Sequence, residues 1–517
     1  MRTLISPLPS QPAVVPSAAI DRRRVALLWG IGIANALIFY VAFTRRFPLA
    51  QYAHVLMGWG DLTKFDKVAG YAYLGTMLLL GALFVVAALA VRGIPYRVAR
   101  WPIYVGALAA GAALLPMYPG GSIDVFVYVA FTRVWVHFGA NPLVVPAATF
   151  PHDALAQLAA GWAGTPSPYG PVWVIISALP ELLARGDVFT TVLLYKAMAF
   201  GLDVGSIALV SWILGRVSPD RQSLGTLLFA WNPVILFETI GNGHNDGAMM
   251  FFVLAAIALS LSHSERWRLA APSVLALAAL VKYTTGLLFP VLYLYQLASL
   301  PDWRSRIRYL VVSGLLALVV VLALFAPFWD GPKTVNAVLY QNTLTVTTPV
   351  WLLNYFVSEQ LPALASLNLP QKALFAIFGV IFVAQLVRLA RSPGLWLAVA
   401  FEVVFFSLYA VGKFYPWYAV WALALASLVP SRKRLAWLLP FTGAVLLWNF
   451  FMDYDARWMS TQAGAYLQLD ALFRANLYVV GLVFVVPGLV RLYLWLRPRL
   501  PGAAASVAGG EALEQVA

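Results

Sequence analysis

The chain is dominated by long apolar stretches that few charges interrupt. A helix needs about 20 apolar residues to cross the roughly 30 Å hydrocarbon core of a bilayer. Stretches near this length recur along the whole sequence and predict about fourteen transmembrane helices, within a range of about 12 to 15. They are Val25–Phe43, Tyr71–Val91, Pro102–Tyr118, Phe189–Leu214, Leu224–Ile240, Gly247–Ser262, Leu269–Thr285, Gly286–Leu300, Tyr309–Phe328, Ala373–Ala390, Gly394–Val411, Phe414–Val429, Leu435–Phe451 and Asn476–Leu496.

The composition supports this interpretation. Hydrophobic residues make up 62% of the 517 residues, and charged residues make up 11%. A soluble domain has about 45–50% apolar and about 25% charged residues, so a soluble fold could not cover this much apolar surface. We therefore predict an all-α polytopic membrane protein and exclude a disordered chain, a coiled coil and a soluble nucleic-acid-binding protein. The sequence has no cysteine, which excludes disulfides and thiolate catalysis.

The distribution of lysine and arginine predicts the orientation, because cytoplasmic loops of membrane proteins are enriched in both. The charge clusters predict a multi-pass plasma-membrane protein with both termini in the cytoplasm. We expect a cytoplasmic tail at residues 1–24, a membrane domain at 25–497 and a disordered cytoplasmic tail at 498–517.

The first large outer loop, residues 119–187, is expected to carry short helices at the membrane surface. Val125–Phe138 is apolar with two basic residues, which is typical of an interfacial helix. Pro171–Ala184 is too short to span and contains Pro180 and Glu181, so we expect a re-entrant or interfacial helix there.

This outer loop also carries the first candidate functional residues. Asp124 follows a Gly-Gly-Ser sequence, so it either caps the next helix or presents a carboxylate at the membrane surface. Tyr169 lies between two prolines, a pattern typical of a stiff turn. The sequence leaves both interpretations of Asp124 open.

A second candidate segment, residues 238–246, joins two apolar stretches at the outer face. Ionisable groups are costly at membrane depth, so they usually pair or take part in function, and a plain turn would not need them. One histidine with carboxylates at this spacing matches no zinc or calcium signature, so we expect no metal. The polar residues of the segment are Glu238, Asn242, His244, Asn245 and Asp246.

Two lysines occur next to aromatic residues at expected outer helix ends. Lys282 lies late in an apolar stretch, where it either extends its charge to the interface or holds a phosphate as a point charge. Lys413 lies four residues before Trp417. These candidates were chosen by residue type alone, yet the topology places all of them on one face, which favours a shared pocket.

Together the motifs resemble those of the polytopic GT-C glycosyltransferases. The matching features are an acidic residue in the first large outer loop, an Asn-Pro, Ser-Pro-Tyr-Gly-Pro, Asn-Pro…Glu…Asn-Gly-His-Asn-Asp, and a Lys-Tyr near a helix end. The similarity is greatest to bacterial polyprenol-phosphate-mannose-dependent mannosyltransferases, including glycosyltransferase family 87 and the α-1,6-mannosyltransferases of actinobacterial cell walls. It covers residues 119–290, about a third of the chain.

The resemblance implies transfer of a sugar, expected to be mannose, from a polyprenyl-phosphate donor to a hydroxyl of a lipid or glycan on the extracytoplasmic face. Asp124 matches the family's catalytic carboxylate and would act as general base in an inverting displacement. Lys282, with Arg133 or His244, would hold the donor phosphate. No cofactor is implied. The residues expected to bind substrate are Tyr169, Glu238, Asn242, Asn245, Asp246, Lys413 and Trp417.

Other functions stay open. A transporter or lipid flippase would need a midplane site and often shows internal repeats, neither of which the sequence displays. The sequence distinguishes poorly between this mannosyltransferase and a different lipid-linked transferase, such as an O-antigen-type ligase. A purely structural subunit would leave segment 238–246 without an explanation.

Overall fold

The computed structural model describes residues 21–341, 343–460 and 469–496, and these residues form helices joined by turns and loops. Within this part of the chain there is no β-strand, only three isolated backbone bridges. The all-α prediction is therefore confirmed. The expected tails at 1–24 and 498–517 lie outside the described residues, except that Asp21 caps a helix that begins at Arg22.

The first half of the chain forms helices that lead into and out of the outer loop. Their bounds are α1 Arg22–Phe39, α2 Leu49–Tyr52, α3 Trp59–Leu62, α4 Lys67–Ala90, α5 Tyr96–Leu114, α6 Asp124–Val136, α7 Pro171–Ala184, α8 Val188–Val217, α9 Gln222–Ala230, α10 Pro233–Ile235, α11 Asp246–Ser260 and α12 Glu265–Ala279.

The second half continues in the same way. Its helices are α13 Phe289–Ser299, α14 Trp303–Phe325, α15 Asn336–Gln341, α16 Pro349–Gln360, α17 Pro362–Ala365, α18 Leu369–Arg391, α19 Trp396–Ala410, α20 Ala419–Ser427, α21 Arg432–Leu446, α22 Ala456–Met459, α23 Leu469–Val480 and α24 Val486–Leu496. Wider π-helical turns extend several of them, at Tyr40–Thr44, Leu236–Gly241, Phe450–Asp455 and Gly481–Val485.

Among the described residues, nine helical segments are long and apolar enough to cross a membrane, so the chain is a multi-pass membrane protein. This is fewer than the fourteen expected. The difference arises because several apolar stretches form shorter helices: Phe414–Val429, for example, holds only the nine-residue α20. The nine segments are Arg22–Thr44, Lys67–Ala90, Val188–Val217, Pro219–Gly241, Trp303–Phe328, Leu369–Arg391, Pro393–Ala410, Arg432–Met459 and Asp470–Leu494.

The helix after Asp124 does not lie on the surface of the protein. All residues from Val125 to Thr132 are buried, because α6 packs between α7 and α8 and under the loop that follows it. This helix is therefore enclosed by other parts of the protein, and its expected position at the membrane surface stays a prediction. α7 differs: it exposes a row of leucines, Leu179, Leu182 and Leu183, which suits contact with lipid.

Small residues allow the helices before the outer loop to pack closely. The indole N–H of Trp231 donates to the Ile103 carbonyl at 2.9 Å. A Cβ atom at Gly106 would lie 2.6 Å from the Trp231 ring, so only glycine allows this approach. The contact fixes α5 against α9, and α5 leads directly to Asp124.

A buried lysine completes the end of α5. Lys196, on α8, is fully buried, and its ammonium donates to the Leu114 carbonyl at 3.0 Å and to the Met117 carbonyl. These carbonyls belong to the last turn of α5 and the residues after it, where a helix has no backbone donors left. Lys196 thus holds the chain in place where it turns towards Asp124.

Replacing Lys196 by methionine should lower the midpoint of thermal unfolding. The loss of each buried hydrogen bond should cost about 1–3 kcal/mol of unfolding free energy, because the carbonyls would lack a partner. The matched control is Lys372→Met, at an exposed position on α18. Equal midpoints for both variants in detergent would contradict this role for Lys196.

Candidate active site

A cavity of about 920 Å³ lies where α6, α15, α18 and the segment after α19 meet. This volume is within the roughly 300–1,000 Å³ range of small-molecule sites. Aromatic and aliphatic side chains form most of its wall. Its charged side chains are Asp124, Lys282, Lys413 and Asp453.

Asp124 presents its carboxylate to this cavity. It is the first residue of α6, directly after the N-cap position Ile123, and its backbone N–H donates to the Ser122 hydroxyl at 3.1 Å. The Tyr169 hydroxyl donates to the Asp124 carboxylate at 3.5 Å. The Asp124 carboxylate thus lies on the cavity wall beside Tyr169, and its functional role stays a prediction.

Lys282 lines the same cavity, but its ammonium is paired with Asp246, which lies behind the cavity wall. Its ammonium contacts both carboxylate oxygens of Asp246 at 2.8 Å, and the Trp421 indole N–H donates to the same carboxylate. The ammonium also lies 5.1 Å from the centre of the Tyr418 ring and 5.9 Å from that of Tyr169. Lys282 is therefore held rigidly, and its charge is largely compensated by Asp246.

The backbone before Asp124 is anchored by segment 238–246. The Asn242 amide donates to the Glu238 carboxylate at 2.9 Å, and the Gly121 N–H donates to the Asn242 amide oxygen at 3.2 Å. A Cβ atom at Gly121 would lie 2.6 Å from the Asn242 amide nitrogen, so this approach requires glycine. The π-helical turn at Leu236–Gly241 places Glu238 where it can make this contact.

The same segment supports the aromatic wall. His244 Nδ1 lies 3.0 Å from the Glu238 carbonyl oxygen and 3.2 Å from its carboxylate. The His244 ring stacks on Trp417, with centroids 4.0 Å apart and planes at 19°. Trp417 lines the cavity, and His244, which does not, holds the Trp417 ring in position by stacking on it.

The five predicted site residues of segment 238–246 lie behind the cavity wall and are at most 3% exposed. None of them is among the described residues that line the cavity. The sequence analysis expected Glu238, Asn242, Asn245 and Asp246 to bind substrate and His244 to bind phosphate. Four of them instead contact Asp124's loop, Lys282 and Trp417, or one another. The exception is Asn245, whose side-chain amide is buried and has no hydrogen-bond partner among the described residues.

Arg133 is also outside the cavity lining. Its guanidinium is 2.9 Å from the Asp153 carboxylate and 3.1 Å from that of Glu181. Two carboxylates neutralise its charge within the outer loop. Arg133 is therefore paired within the protein, and its contact with a donor phosphate stays a prediction.

Lys413 is the second cation of the cavity. Its ammonium donates to the Gln341 amide oxygen, and Gln341 lines the cavity as well. Burial, with the charge of Lys282, lowers the pKa of Lys413 from its usual 10.5 to about 8, and the charge of Asp124 opposes both effects. Among the described residues, no carboxylate forms a salt bridge with Lys413, whereas Lys282 is paired with Asp246. Lys413 is therefore better placed than Lys282 to bind an anionic ligand.

Asp453 was not among the site residues predicted from the sequence. This carboxylate lines the cavity from the π-helical turn Phe450–Asp455, which follows α21. Its sequence signal was an acidic residue directly after an apolar stretch, at the beginning of an outer loop. The cavity therefore holds a second carboxylate besides Asp124. Among the described residues, no group of three or more His, Asp or Glu side chains is arranged to hold a metal ion.

The cavity wall near α18 is apolar and faces outwards. Phe375 and Phe378 line the cavity from α18, and Phe375 is 49% exposed. Only 6% of the residues in the apolar stretch of α18 are buried inside the protein. A ligand with an apolar tail could therefore reach the cavity along the exposed apolar face of α18.

Residues 32–298 match the family described as alpha-(1->6)-mannopyranosyltransferase, N-terminal domain. The chain is 25% identical over 352 residues to alpha-(1->6)-mannopyranosyltransferase A of Mycobacterium tuberculosis, which covers 63% of this chain and 65% of the relative. It is 25% identical over 320 residues to alpha-(1->6)-mannopyranosyltransferase B of Corynebacterium glutamicum, covering 56% of this chain and 52% of the relative.

The matches thus span less than two thirds of the length of these relatives. The family match includes Asp124, Tyr169, Lys282 and segment 238–246, and it confirms the resemblance drawn from those motifs. Since this match covers more than half of the 517 residues, the chain belongs to the alpha-(1->6)-mannopyranosyltransferase family.

Proposed function

We propose that this protein is a membrane mannosyltransferase that moves mannose from a polyprenyl-phosphate donor to a hydroxyl of a lipid or glycan. The observation that carries the proposal is the placement of Asp124 and two lysines on the wall of one largely apolar cavity. The names of the relatives support mannose as the sugar and an α-(1→6) linkage. The charge distribution supports a cavity on the extracytoplasmic face.

The donor phosphate is assigned to the side of the cavity formed by Lys413 and Lys282. A lipid phosphate leaves with a negative charge, so a cation that is already in place stabilises the transition state. Lys413 lacks a salt bridge to a described carboxylate, whereas Lys282 is shared with Asp246. The apolar tail would pass along Phe375 and Phe378, which connect the cavity to the exposed side of α18.

Asp124 is proposed as the general base. The acceptor oxygen forms a bond to the anomeric carbon of the sugar while the bond from that carbon to the phosphate oxygen breaks. The acceptor proton passes to the Asp124 carboxylate, because an alcohol is a weak nucleophile until it loses this proton. A single displacement inverts the anomeric carbon, so a β-linked donor gives an α-linked product.

Asp453 is proposed to bind the acceptor. A sugar or polyol acceptor presents several hydroxyl donors, and a carboxylate accepts two of them at once. Asp453 is contributed by the turn after α21 and Asp124 by the first turn of α6, and both line the cavity in which the acceptor would bind.

The Asp124→Asn variant should lose transfer by roughly 10²- to 10⁴-fold while it keeps donor binding, because asparagine fills the same space but cannot take up the proton. The assay uses purified protein in nanodiscs, labelled polyprenyl-phosphate mannose and a lipid or glycan acceptor extract. Asp330→Asn, at an exposed position after α14, is the matched control. Full transfer by Asp124→Asn would exclude Asp124 as the base, and no donor binding by wild type would favour the transporter alternative.

Donor binding should weaken as the pH rises through about 8. Lys413 carries its charge below a pKa of about 8 and loses it above, and the charges that face it are Lys282 and Asp124. Lys413→Arg should remove this dependence, because arginine stays charged throughout this range. The measurement is the donor dissociation constant between pH 6.5 and 9.5. The same fall in both proteins would show that another group titrates.

The Asp453→Asn variant should raise KM for the acceptor by about tenfold and change KM for the donor little. The reason is that the amide offers one acceptor oxygen where the carboxylate offers two. Asp455→Asn is the control, since Asp455 lies on the same turn but is not part of the cavity wall. A rise in donor KM alone would place Asp453 on the phosphate side instead.

A further inference from the structure

A cluster of arginines lies at the end of the helices away from the cavity. α18 and α19 both reach the cavity at one end, through Phe375 and Ala410. Further along these helices, Arg388 lies in the last turn of α18 and Glu402 lies near the middle of α19. Neither residue lines the cavity: Arg388 is ten residues along α18 from Phe378, and Glu402 is five residues along α19 from Ser407.

Glu402 is the carboxylate around which the cluster forms. Its side chain is 10% exposed, and it accepts hydrogen bonds from the Arg388 guanidinium at 3.0 Å and the Gln385 amide at 2.8 Å. Arg491, on α24, approaches the other carboxylate oxygen at 3.5 Å. One negative charge thus already serves two guanidinium groups.

Two more arginines, Arg434 and Arg221, add positive charge near this cluster. Arg434, at the beginning of α21, is attracted electrostatically to Glu402 and repelled by Arg491, Arg388 and Arg221. The guanidinium groups of Arg434 and Arg221 donate to backbone carbonyls, which carry no full charge. Arg221 has a carboxylate at 3.3 Å, Asp220, but this pair is exposed to solvent and therefore weak. The centre of the cluster keeps an excess of positive charge.

Arg491 offers a donor that the protein does not use. Its Nη1 atom is buried and has no hydrogen-bond partner among the described residues. The guanidinium is stacked 4.6 Å from the centre of the Phe406 ring and 5.9 Å from that of Trp437, which fixes its orientation. A buried guanidinium N–H without a partner is costly, so this atom is suited to an anion that the cluster receives from outside.

We infer that this cluster binds the phosphate of an anionic phospholipid head group. Arginine at helix ends is common in membrane proteins and by itself requires no ligand. Here, however, arginines from α18 and α24 share one carboxylate, two more arginines add positive charge nearby, and Arg491 has an unused donor. Basic pockets between transmembrane helices receive lipid head groups in this way, because guanidinium matches phosphate geometry and the acyl chains stay in the bilayer. The inference is independent of the proposed transfer reaction.

The test measures binding of phosphatidylglycerol to the purified full-length protein by native mass spectrometry. Phosphatidylcholine and inorganic phosphate are the comparison ligands. Wild type should bind phosphatidylglycerol at least tenfold more tightly than phosphatidylcholine, and inorganic phosphate should not displace it at equal concentration. Arg434→Gln and Arg491→Gln should each weaken phosphatidylglycerol binding about fivefold, which corresponds to roughly one charge contact per arginine.

The matched control is Arg304→Gln, at an exposed position on α14 outside the cluster. It should bind phosphatidylglycerol as wild type does. Equal weakening in all three variants would show diffuse attraction only and would overturn the inference. Unchanged binding in both cluster variants would overturn it as well. Displacement by inorganic phosphate would replace the lipid with a soluble anion. If Arg491→Gln does not fold, Arg434→Gln alone still decides the outcome, because Arg434 is not bonded to Glu402.

Discussion

The buried pairing of Lys282 with Asp246 and of Asn242 with Glu238 is the constraint on which the site depends. Within an apolar bundle, an unpaired charge or amide is costly, so these groups must find partners inside the protein. These contacts connect segment 238–246 to Gly121, before Asp124, and to Lys282, and both of these residues line the cavity. Breaking one pair would leave the other member uncompensated and would move the residues that line the cavity.

This pairing separates residues that support from residues that face a ligand. Lys282 is held by Asp246, and Gly121, near Asp124, is held by Asn242. Lys413 is left with an amide partner, so its charge remains available to a ligand. The proposed phosphate side, base and acceptor side all follow from which polar groups the protein has already paired.

The sequence predicted a large part of the cavity wall. Asp124, Tyr169, Lys282, Lys413 and Trp417 were all expected to bind substrate or donor, and all line the cavity. Residue type and topology could place such groups at one face of the membrane, because ionisable residues at helix ends are rare in apolar segments. They could not show which way a side chain points, since this depends on a π-helical turn or a close approach at glycine. Segment 238–246 was therefore assigned to the ligand although it lies behind the wall.

The sequence by itself determined that this is an all-α, multi-pass membrane protein, because the length and apolarity of a helix that spans a bilayer are written in consecutive residues. It also carried the motifs of the family. Only the tertiary structure decided the pairings, since Arg133 finds Asp153 and Glu181, and Asp453 reaches the cavity from the end of a distant helix. Such contacts join residues far apart in the chain, and no local pattern specifies them; they follow from how the helices pack and which buried charges they must satisfy.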